Sequence, residues 1–221
     1  MIRFDHIVIG AESLESGNRW IRQSCGIDIP AGGRHLHMAT HNLVTATGQD
    51  TYLEVIAKDP EMAAPKRPRW FGLDDTFVAE RLAASPYPLA WVASTDALDA
   101  ACARARSVGV DVGRPLSMSR DNLRWRIAVR DDGFPGLEGA APMIMEWPTG
   151  THPARGMTDL GIRLRRISIA TPHEDRLIAL FDALGLAERP DVTTAFPDSG
   201  VPASRLAVEL LLPGGGTCVL S

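Results

Sequence analysis

The sequence lacks both a basic excess and a long apolar run. Its 221 residues carry 23 Lys and Arg against 27 Asp and Glu, which gives a formal net charge of −4. Proteins that bind nucleic acids need a basic face, which this composition does not favour. No apolar stretch approaches the ~20 residues that a membrane-spanning helix requires. We therefore expect neither a nucleic-acid partner nor a membrane partner.

Cysteine is also scarce. Cys25, Cys102 and Cys218 lie far apart in the sequence and form no CxxC pair. An odd number of cysteines argues against a disulfide framework and for a reducing compartment. The first ten residues, MIRFDHIVIG, show no signal-peptide pattern. These observations together predict a soluble, cytoplasmic protein.

Several common catalytic motifs are missing as well. No GxGxxG follows a strand, which argues against a dinucleotide site, and no GxSxG marks a nucleophilic serine. No cysteine lies in an activating motif. The glycines at 214–216 are not followed by Lys-Ser/Thr, so they indicate a hairpin turn rather than a phosphate loop.

What the chain does contain is an internal repeat. Residues 4–29 have the pattern of a strand followed by an amphipathic helix that a glycine ends, and residues 88–112 follow the same plan. The second halves also match: each has an Asn-Leu pair, at 42–43 and 122–123, and a glutamate in a closing apolar strand. A third, degenerate copy begins near residue 164.

This repeat predicts an α+β fold. Two βαβββ modules, over residues 1–58 and 88–150, would be joined by a connection over 59–87. Residues 151–221 would form a degenerate third module that contains a βα pair, and all parts would belong to one compact unit. A homodimer formed through the sheet of the third copy is compatible with this organisation.

The closing glutamates, Glu54 in TYLEVIA and Glu146 in MIMEW, are carboxylates in otherwise apolar strands. Burial of an unpaired carboxylate is costly, so such groups are usually paired, protonated or bound to a metal. His6 lies on the first strand, where alternation places Asp5 on the opposite face. If the modules curl around a common hollow, His6, Glu54 and Glu146 point into it and suit Zn, Mn, Fe, Co or Ni.

Other interpretations of the same residues stay open. His6 could be a hydrogen-bonded core histidine. The two glutamates could pair with Arg124 or Arg126 on the neighbouring strand, since buried carboxylates are usually paired. His152 precedes a proline in a linker, where a structural role is the default.

Several stretches resemble the vicinal oxygen chelate superfamily and, within it, the glyoxalase-like domain family. They are GGRHLHMATHNLVTATG, YLEVIA, RPRWFGLDD, LRWRIAV and MEWPTGTHP. The resemblance implies paired βαβββ modules that form a cupped mixed sheet around a divalent metal (Zn, Mn, Ni, Co or Fe), which two substrate oxygens chelate. It implies metal ligands at His6 and Glu54 in the first module and at Glu146 in the second.

The fourth ligand departs from the family pattern, because Ala90 stands where the second module would supply a histidine. Either the site stays open with three ligands, as catalytic metals often do, or a nearby histidine supplements it. The candidates for this supplement are His35, His37 and His41.

The leading functional hypothesis is a metal-dependent lyase or isomerase that acts on a small oxygen-rich substrate. The metal would act as a Lewis acid, and Glu146 or Glu54 would move a proton. Apolar walls and an anion contact would come from Trp91, Trp125, Trp147, Arg124 and Arg126. Two alternatives are a metal-free protein that binds or sequesters a small molecule, which Ala90 favours, and an extradiol-type dioxygenase, which Ala90 disfavours.

Overall fold

The computed structural model describes residues 1–147, 152–195 and 204–221. The first unit consists of β1 (Arg3–Gly10), α1 (Leu14–Cys25), β2 (Ala31–His35), β3 (Thr40–Ala46) and β4 (Tyr52–Lys58). The α1 helix begins at Ser13, whose side chain accepts a hydrogen bond from the amide of Ser16 in a capping box. It ends at Gly26, whose φ of 71° is left-handed and suits glycine.

A connection with a short 3-10 helix (Trp70–Gly72) and α2 (Thr76–Ala84) leads to the second unit. The second unit comprises β5 (Tyr87–Ser94), α3 (Leu98–Ser107), β6 (Arg114–Arg120), β7 (Leu123–Val129) and β8 (Met143–Glu146). The third unit comprises β9 (Arg163–Thr171), α4 (Glu174–Leu184), β10 (Asp191–Thr194), β11 (Arg205–Leu211) and β12 (Thr217–Leu220). Residues 148–151, within the quoted stretch MEWPTGTHP, lie outside the described residues.

The first two units share one eight-stranded mixed sheet in the order β2-β3-β4-β1-β5-β8-β7-β6. They join through the antiparallel pair β1–β5, and β2 and β6 are the two edges. These edges approach each other, because a Cβ built on Gly33 in β2 would lie 2.8 Å from Cδ of Arg120 in β6. The sheet is therefore a nearly closed cup, which confirms the predicted α+β class.

Two apolar clusters lie on opposite sides of this sheet. The larger one packs α1, α3, α4 and the third unit against the convex side, with Trp91 and Phe181 in edge-to-face contact. The smaller one lies on the concave side, where it includes Val92 and Met145 and receives α2.

The third unit forms a separate four-stranded sheet in the order β10-β9-β11-β12. Cys218 on β12 is disulfide-bonded to Cys25 at the end of α1, with Cα atoms 5.6 Å apart, while Cys102 is free and buried. The odd cysteine count argued against disulfide bonds. That inference is wrong for Cys25 and Cys218, which are bonded to each other, and Cys102 is the unpaired cysteine. Among the described residues, no helix combines the length and the apolar character needed to cross a membrane.

Candidate functional site

A small cavity lies on the concave side of the cup. Its volume of ≈ 40 Å³ is room for about three water molecules. Trp70, Trp125 and Trp147 contribute aromatic walls. Its polar lining is His6, His35, Asn42, Tyr52, Glu54 and Arg120.

A β-bulge in β1 brings two titratable groups together. The pairing with β5 shifts register between Phe4 and His6, so Asp5 is an extra residue on that strand. Asp5 therefore reaches His6, and its Oδ1 accepts a hydrogen bond from Nδ1 of His6 at 2.7 Å. Strand alternation alone had predicted Asp5 on the opposite face, and the bulge overturns that expectation.

Asp5 is fully buried and accepts hydrogen bonds from three side chains. Besides His6, the indole Nε1 of Trp147 donates to Oδ2 at 3.0 Å. The Nε2 of His152 also lies 3.0 Å from Oδ2. Burial acts to raise the pKa of Asp5, but the hydrogen bonds from His152 and His6 outweigh it and hold the pKa below its ordinary value.

His6 is held by Asp5 on one side and faces the cavity on the other. Its ring stacks on Tyr52 with centroids 4.2 Å apart. Its Nε2 lies 3.4 Å from the Tyr52 hydroxyl and 3.6 Å from Oε2 of Glu54. Burial acts to lower the pKa of His6, yet the two carboxylates outweigh it and raise the pKa to about 8. The imidazole is therefore mostly protonated at pH 7.

Glu54 is 4% exposed, and its two carboxylate oxygens differ in their surroundings. Oε1 accepts a hydrogen bond from Nδ2 of Asn42 at 2.6 Å, whereas Oε2 has only the longer contact with His6. Burial acts to raise the pKa of Glu54, but the neighbouring His6 outweighs it and lowers the pKa. The carboxylate is thus ionised at neutral pH, with one oxygen free to meet a ligand.

Arg120 reaches the cavity from the opposite edge of the sheet. Its Nη1 donates to Oδ1 of Asn42 at 3.2 Å and lies 3.4 Å from Nε2 of His35. The other ring nitrogen of His35, Nδ1, lies 3.1 Å from the hydroxyl of Thr40. Burial lowers the pKa of His35 to about 4, so its ring is neutral at pH 7.

The structure brings five of the candidate residues to this cavity: His6, His35, Glu54, Trp125 and Trp147.

The remaining candidates lie elsewhere in the described part of the chain. Trp91 is buried on the convex side, where its Nε1 donates to the carbonyl of Ala140 at 2.9 Å. Arg124 bonds the carbonyls of its own turn, and Arg126 pairs with Asp99. His37 is exposed, and His41 is half-buried away from the cavity lining.

Glu146 also points away from the cavity. Its Oε2 accepts a hydrogen bond from Nη1 of Arg126 at 2.9 Å, which is the ion pair that the sequence left open as an alternative. On β8 the residue that faces the cavity is Met145. The expectation that Glu146 lies in the common hollow is therefore corrected. Met145, one residue earlier on the strand, has the side chain that faces inward.

The strands that join the two units show which residue of the second unit corresponds to His6. β1 and β5 have eight residues each, and each has a bulge at its third residue, Asp5 in β1 and Leu89 in β5. Ala90, the residue after the second bulge, is therefore the counterpart of His6.

The counterpart of Glu54 follows from the parallel strand pairs. Glu54 on β4 pairs with Val8 on β1, and Met143 on β8 pairs with Val92 on β5. Val8 and Val92 occupy the same place in their strands, so the second unit has Met143 where the first has Glu54.

These donors do not fit the divalent metal that the resemblance implies. The first unit offers His6 and Glu54, and their counterparts in the second unit are apolar. His35, a candidate supplement, has the cationic Arg120 beside its Nε2. In residues 1–147, 152–195 and 204–221, no three His, Cys, Asp or Glu side chains form a group able to hold a metal ion.

Sequence reasoning gave no cavity role to Asp5, Asn42, Tyr52 or Arg120. A signal existed for Asn42, because its Asn-Leu pair recurs at 122–123. Asp5 depends on the bulge, and Arg120 depends on the approach of two sheet edges. Neither feature leaves a local pattern in the sequence.

The two buried histidines predict a maximum of stability near pH 6.5. The lowered pKa of His35 makes the unfolded chain bind more protons between about pH 4 and 6.5, so stability rises with pH there. The raised pKa of His6 makes the folded protein bind more protons between 6.5 and about 8, so stability falls as pH rises through that window. The change in stability should amount to about 3 kcal/mol for His35 and about 2 kcal/mol for His6.

Urea unfolding at pH 5, 6.5 and 8.5 would measure this profile. The variant His35→Asn should remove the rise of stability with pH below pH 6.5 and keep the fall of stability above pH 6.5. A stability that stays level from pH 6.5 to 8.5 would contradict the assignment to His6.

Comparison with known proteins bears on the family and the fold. The sequence model of the glyoxalase-like domain family matches residues 4–185. The chain has no match among curated protein sequences. A hypothetical protein from Staphylococcus aureus shares the fold with a TM-score of 0.57 at 14% identity, over 99% of this chain and 85% of that one.

Two further solved structures also match this chain. A mutant 4-hydroxymandelate synthase from Streptomyces coelicolor gives a TM-score of 0.50 at 14% identity, over 98% of this chain and 62% of that one. A methylmalonyl-CoA epimerase variant from Streptomyces coelicolor, in complex with 2-nitronate-propionyl-CoA, gives 0.41 at 18% identity, over 68% and 98%. At these identities the similarity concerns the fold alone. The family match spans most of the sequence and confirms the resemblance to this family, so this chain belongs to the glyoxalase-like domain family.

Proposed function

We propose that the protein is an enzyme of the lyase or isomerase kind that moves a proton on a small oxygen-containing molecule. The observation that carries this proposal is the buried carboxylate of Glu54. One of its oxygens is fixed by Asn42 at 2.6 Å, and the other faces the cavity without a short hydrogen bond. An ionised, oriented carboxylate in a pocket with apolar walls is a suitable general base.

In the proposed reaction, Glu54 removes a proton from a carbon next to a carbonyl group. The C–H bond breaks, its electron pair enters the carbonyl, and negative charge develops on the carbonyl oxygen. The N–H of His6 and the hydroxyl of Tyr52, which lie 3.4 Å apart, can donate to that oxygen. Return of the same proton to the carbon, from the other face or at an adjacent position, completes an isomerisation without any change in oxidation state.

This scheme replaces the metal-dependent one expected from the sequence, because the second unit has Ala90 and Met143 at the positions that correspond to His6 and Glu54. Those same apolar residues favour a second candidate, a metal-free protein that binds a small molecule without changing it. The extradiol-type dioxygenase needs two histidines and a glutamate on iron. His6, His35 and Glu54 line the cavity, but Nε2 of His35 lies 3.4 Å from the guanidinium of Arg120, and within the described residues no three such side chains form a metal-binding group.

Proton exchange in D₂O tests the proposal. Pyruvate, its neutral analogue pyruvamide, and hydroxyacetone would be incubated with chelator-treated protein, and loss of their C–H signals would be followed by NMR. We expect Glu54→Gln to slow exchange about 10²-fold, a typical contribution of a general base. Gln keeps the shape of Glu and its contact with Asn42, so the fold should persist.

Glu146→Gln is the matched control, because Glu146 lies on the same kind of strand outside the cavity. It should exchange substrates at the wild-type rate. If the wild type binds these compounds and exchanges none of them, the binding protein is the correct candidate. Equal exchange by the wild type and Glu54→Gln would remove Glu54 from the mechanism.

A further inference from the structure

Arg120 lies at the junction of two hollows. The inner one is the cavity that contains His6 and Glu54. The outer one is a groove with a volume of ≈ 470 Å³, compared with ≈ 40 Å³ for the cavity. Arg120 lines both, as do Leu123, Pro153 and Met157. A ligand that enters the cavity from the groove therefore passes the guanidinium group.

The guanidinium of Arg120 has neutral partners only. Its Nη1 is shared between Oδ1 of Asn42 and Nε2 of His35, and the described residues place no carboxylate within 4.0 Å of it. By contrast, Arg69 pairs with Asp74 at 2.6 Å. An arginine offers five N–H donors in a planar fork, and among the described residues it is the Nη1 of Arg120 that makes hydrogen bonds.

Asn42 keeps Arg120 apart from the carboxylate of Glu54. The amide lies between the two charges, with its Nδ2 donating to Glu54 and its Oδ1 accepting from Arg120. The backbone amide of Gly33 also donates to Oδ1 at 2.9 Å, which fixes this orientation of the amide. Since Asn42 is neutral, it separates the charges without cancelling either of them.

A guanidinium group with free donors beside a small pocket is complementary to a carboxylate, which it can bind through two parallel hydrogen bonds. We propose that Arg120 anchors the carboxylate of the substrate, so that the substrate class is a small carboxylic acid that carries a carbonyl group. The carbonyl end enters the cavity toward Glu54, and any larger substituent lies in the outer groove. This inference names the substrate class of the proposed function. It rests on that function only for the carbonyl end of the substrate, not for the carboxylate that Arg120 binds.

The small cavity limits the part of the ligand that reaches Glu54 to a few heavy atoms. The sequence had assigned the anion contact to Arg124 or Arg126. Arg124 is committed to the carbonyls of Asp121 and Leu123, and Arg126 to two carboxylates. Arg120 is the arginine that lines the cavity in the described part of the chain.

Binding of matched probes tests the anchor. Acetate, propionate and pyruvate are the carboxylates, and propionamide and pyruvamide are their neutral analogues, with affinities measured by NMR titration. We expect at least one carboxylate to bind about 10-fold more tightly than its amide. Arg120→Gln should abolish that preference by weakening the carboxylate and leaving the amide unchanged, and Arg120→Lys should retain part of it.

Arg124→Gln is the matched control and should bind every probe as the wild type does. Thermal unfolding of each variant would show that the fold is intact. The anchor is overturned if none of the carboxylates binds, or if Arg120→Gln keeps the wild-type preference for carboxylate over amide.

Deuterium exchange in the same samples separates this inference from the proposed function. Arg120-dependent binding of carboxylates without any exchange sustains the anchor and overturns the proposed proton transfer. Exchange of pyruvamide and pyruvate at rates that Arg120→Gln leaves unchanged sustains the proton transfer and overturns the anchor.

Discussion

The variant Asp5→Ala is expected to lose about 3–5 kcal/mol in its free energy of unfolding, because it leaves a buried charge without its partner. Asp5 is 0% exposed, and its carboxylate is the acceptor for His6, Trp147 and His152. Truncation would leave three donors unsatisfied in the interior, one of them on a histidine whose raised pKa depends on Asp5. Urea denaturation near pH 7 measures the loss.

Asp50→Ala provides a matched control. Asp50 also accepts two hydrogen bonds from one side chain, Arg155, but that pair is on the surface, with side chains 41% and 44% exposed. Its removal should cost at most about 1 kcal/mol. Asp5→Asn keeps the shape of the side chain and should fall between the two. A loss below about 1 kcal/mol for Asp5→Ala would show that the hydrogen bonds to Asp5 are replaced by water.

Reduction of the Cys25–Cys218 disulfide is expected to lower the free energy of unfolding by about 2–5 kcal/mol. The bond spans a sequence separation of 193 residues, and a long closed loop restricts the unfolded chain more than a short one. The measurement is urea unfolding of the wild type with and without reductant, which compares one sequence in two covalent states.

The variant Cys25→Ser controls for other effects of the reductant. It should match the reduced wild type, and reductant should leave its stability unchanged. Identical unfolding curves for oxidised and reduced wild type would contradict a stabilising role for the bond. Mass spectrometry of the protein without reductant would establish that the bond is present in the starting material.

The fold could be predicted from the sequence because it repeats. The strand, helix and glycine pattern of residues 4–29 recurs at 88–112, and periodicity of this kind reflects local structure that each copy forms in the same way. The cysteine argument failed for the opposite reason. Cys25 and Cys218 come together through the packing of the third unit on the first, and no sequence pattern near either residue predicts that contact.

The candidate site was predictable where a side chain depends on its own strand. His6 and Glu54 both face the cup, as the alternation of β1 and β4 indicates. Glu146 was misplaced because β8 has only four residues, Met143–Glu146, too few for alternation to fix which face is inside. Arg120 reaches the site from β6, across the two sheet edges that approach each other. His152 reaches it from the segment after β8. Both positions depend on tertiary structure.

The approach of β2 and β6 makes the first two units contribute different groups to one cavity. His6 and Glu54 come from the first unit, whereas the second contributes Arg120 and the apolar wall around Met145. Substitutions in the second unit can therefore change the size and the charge of the cavity while the hydrogen-bonded groups of the first unit stay in place.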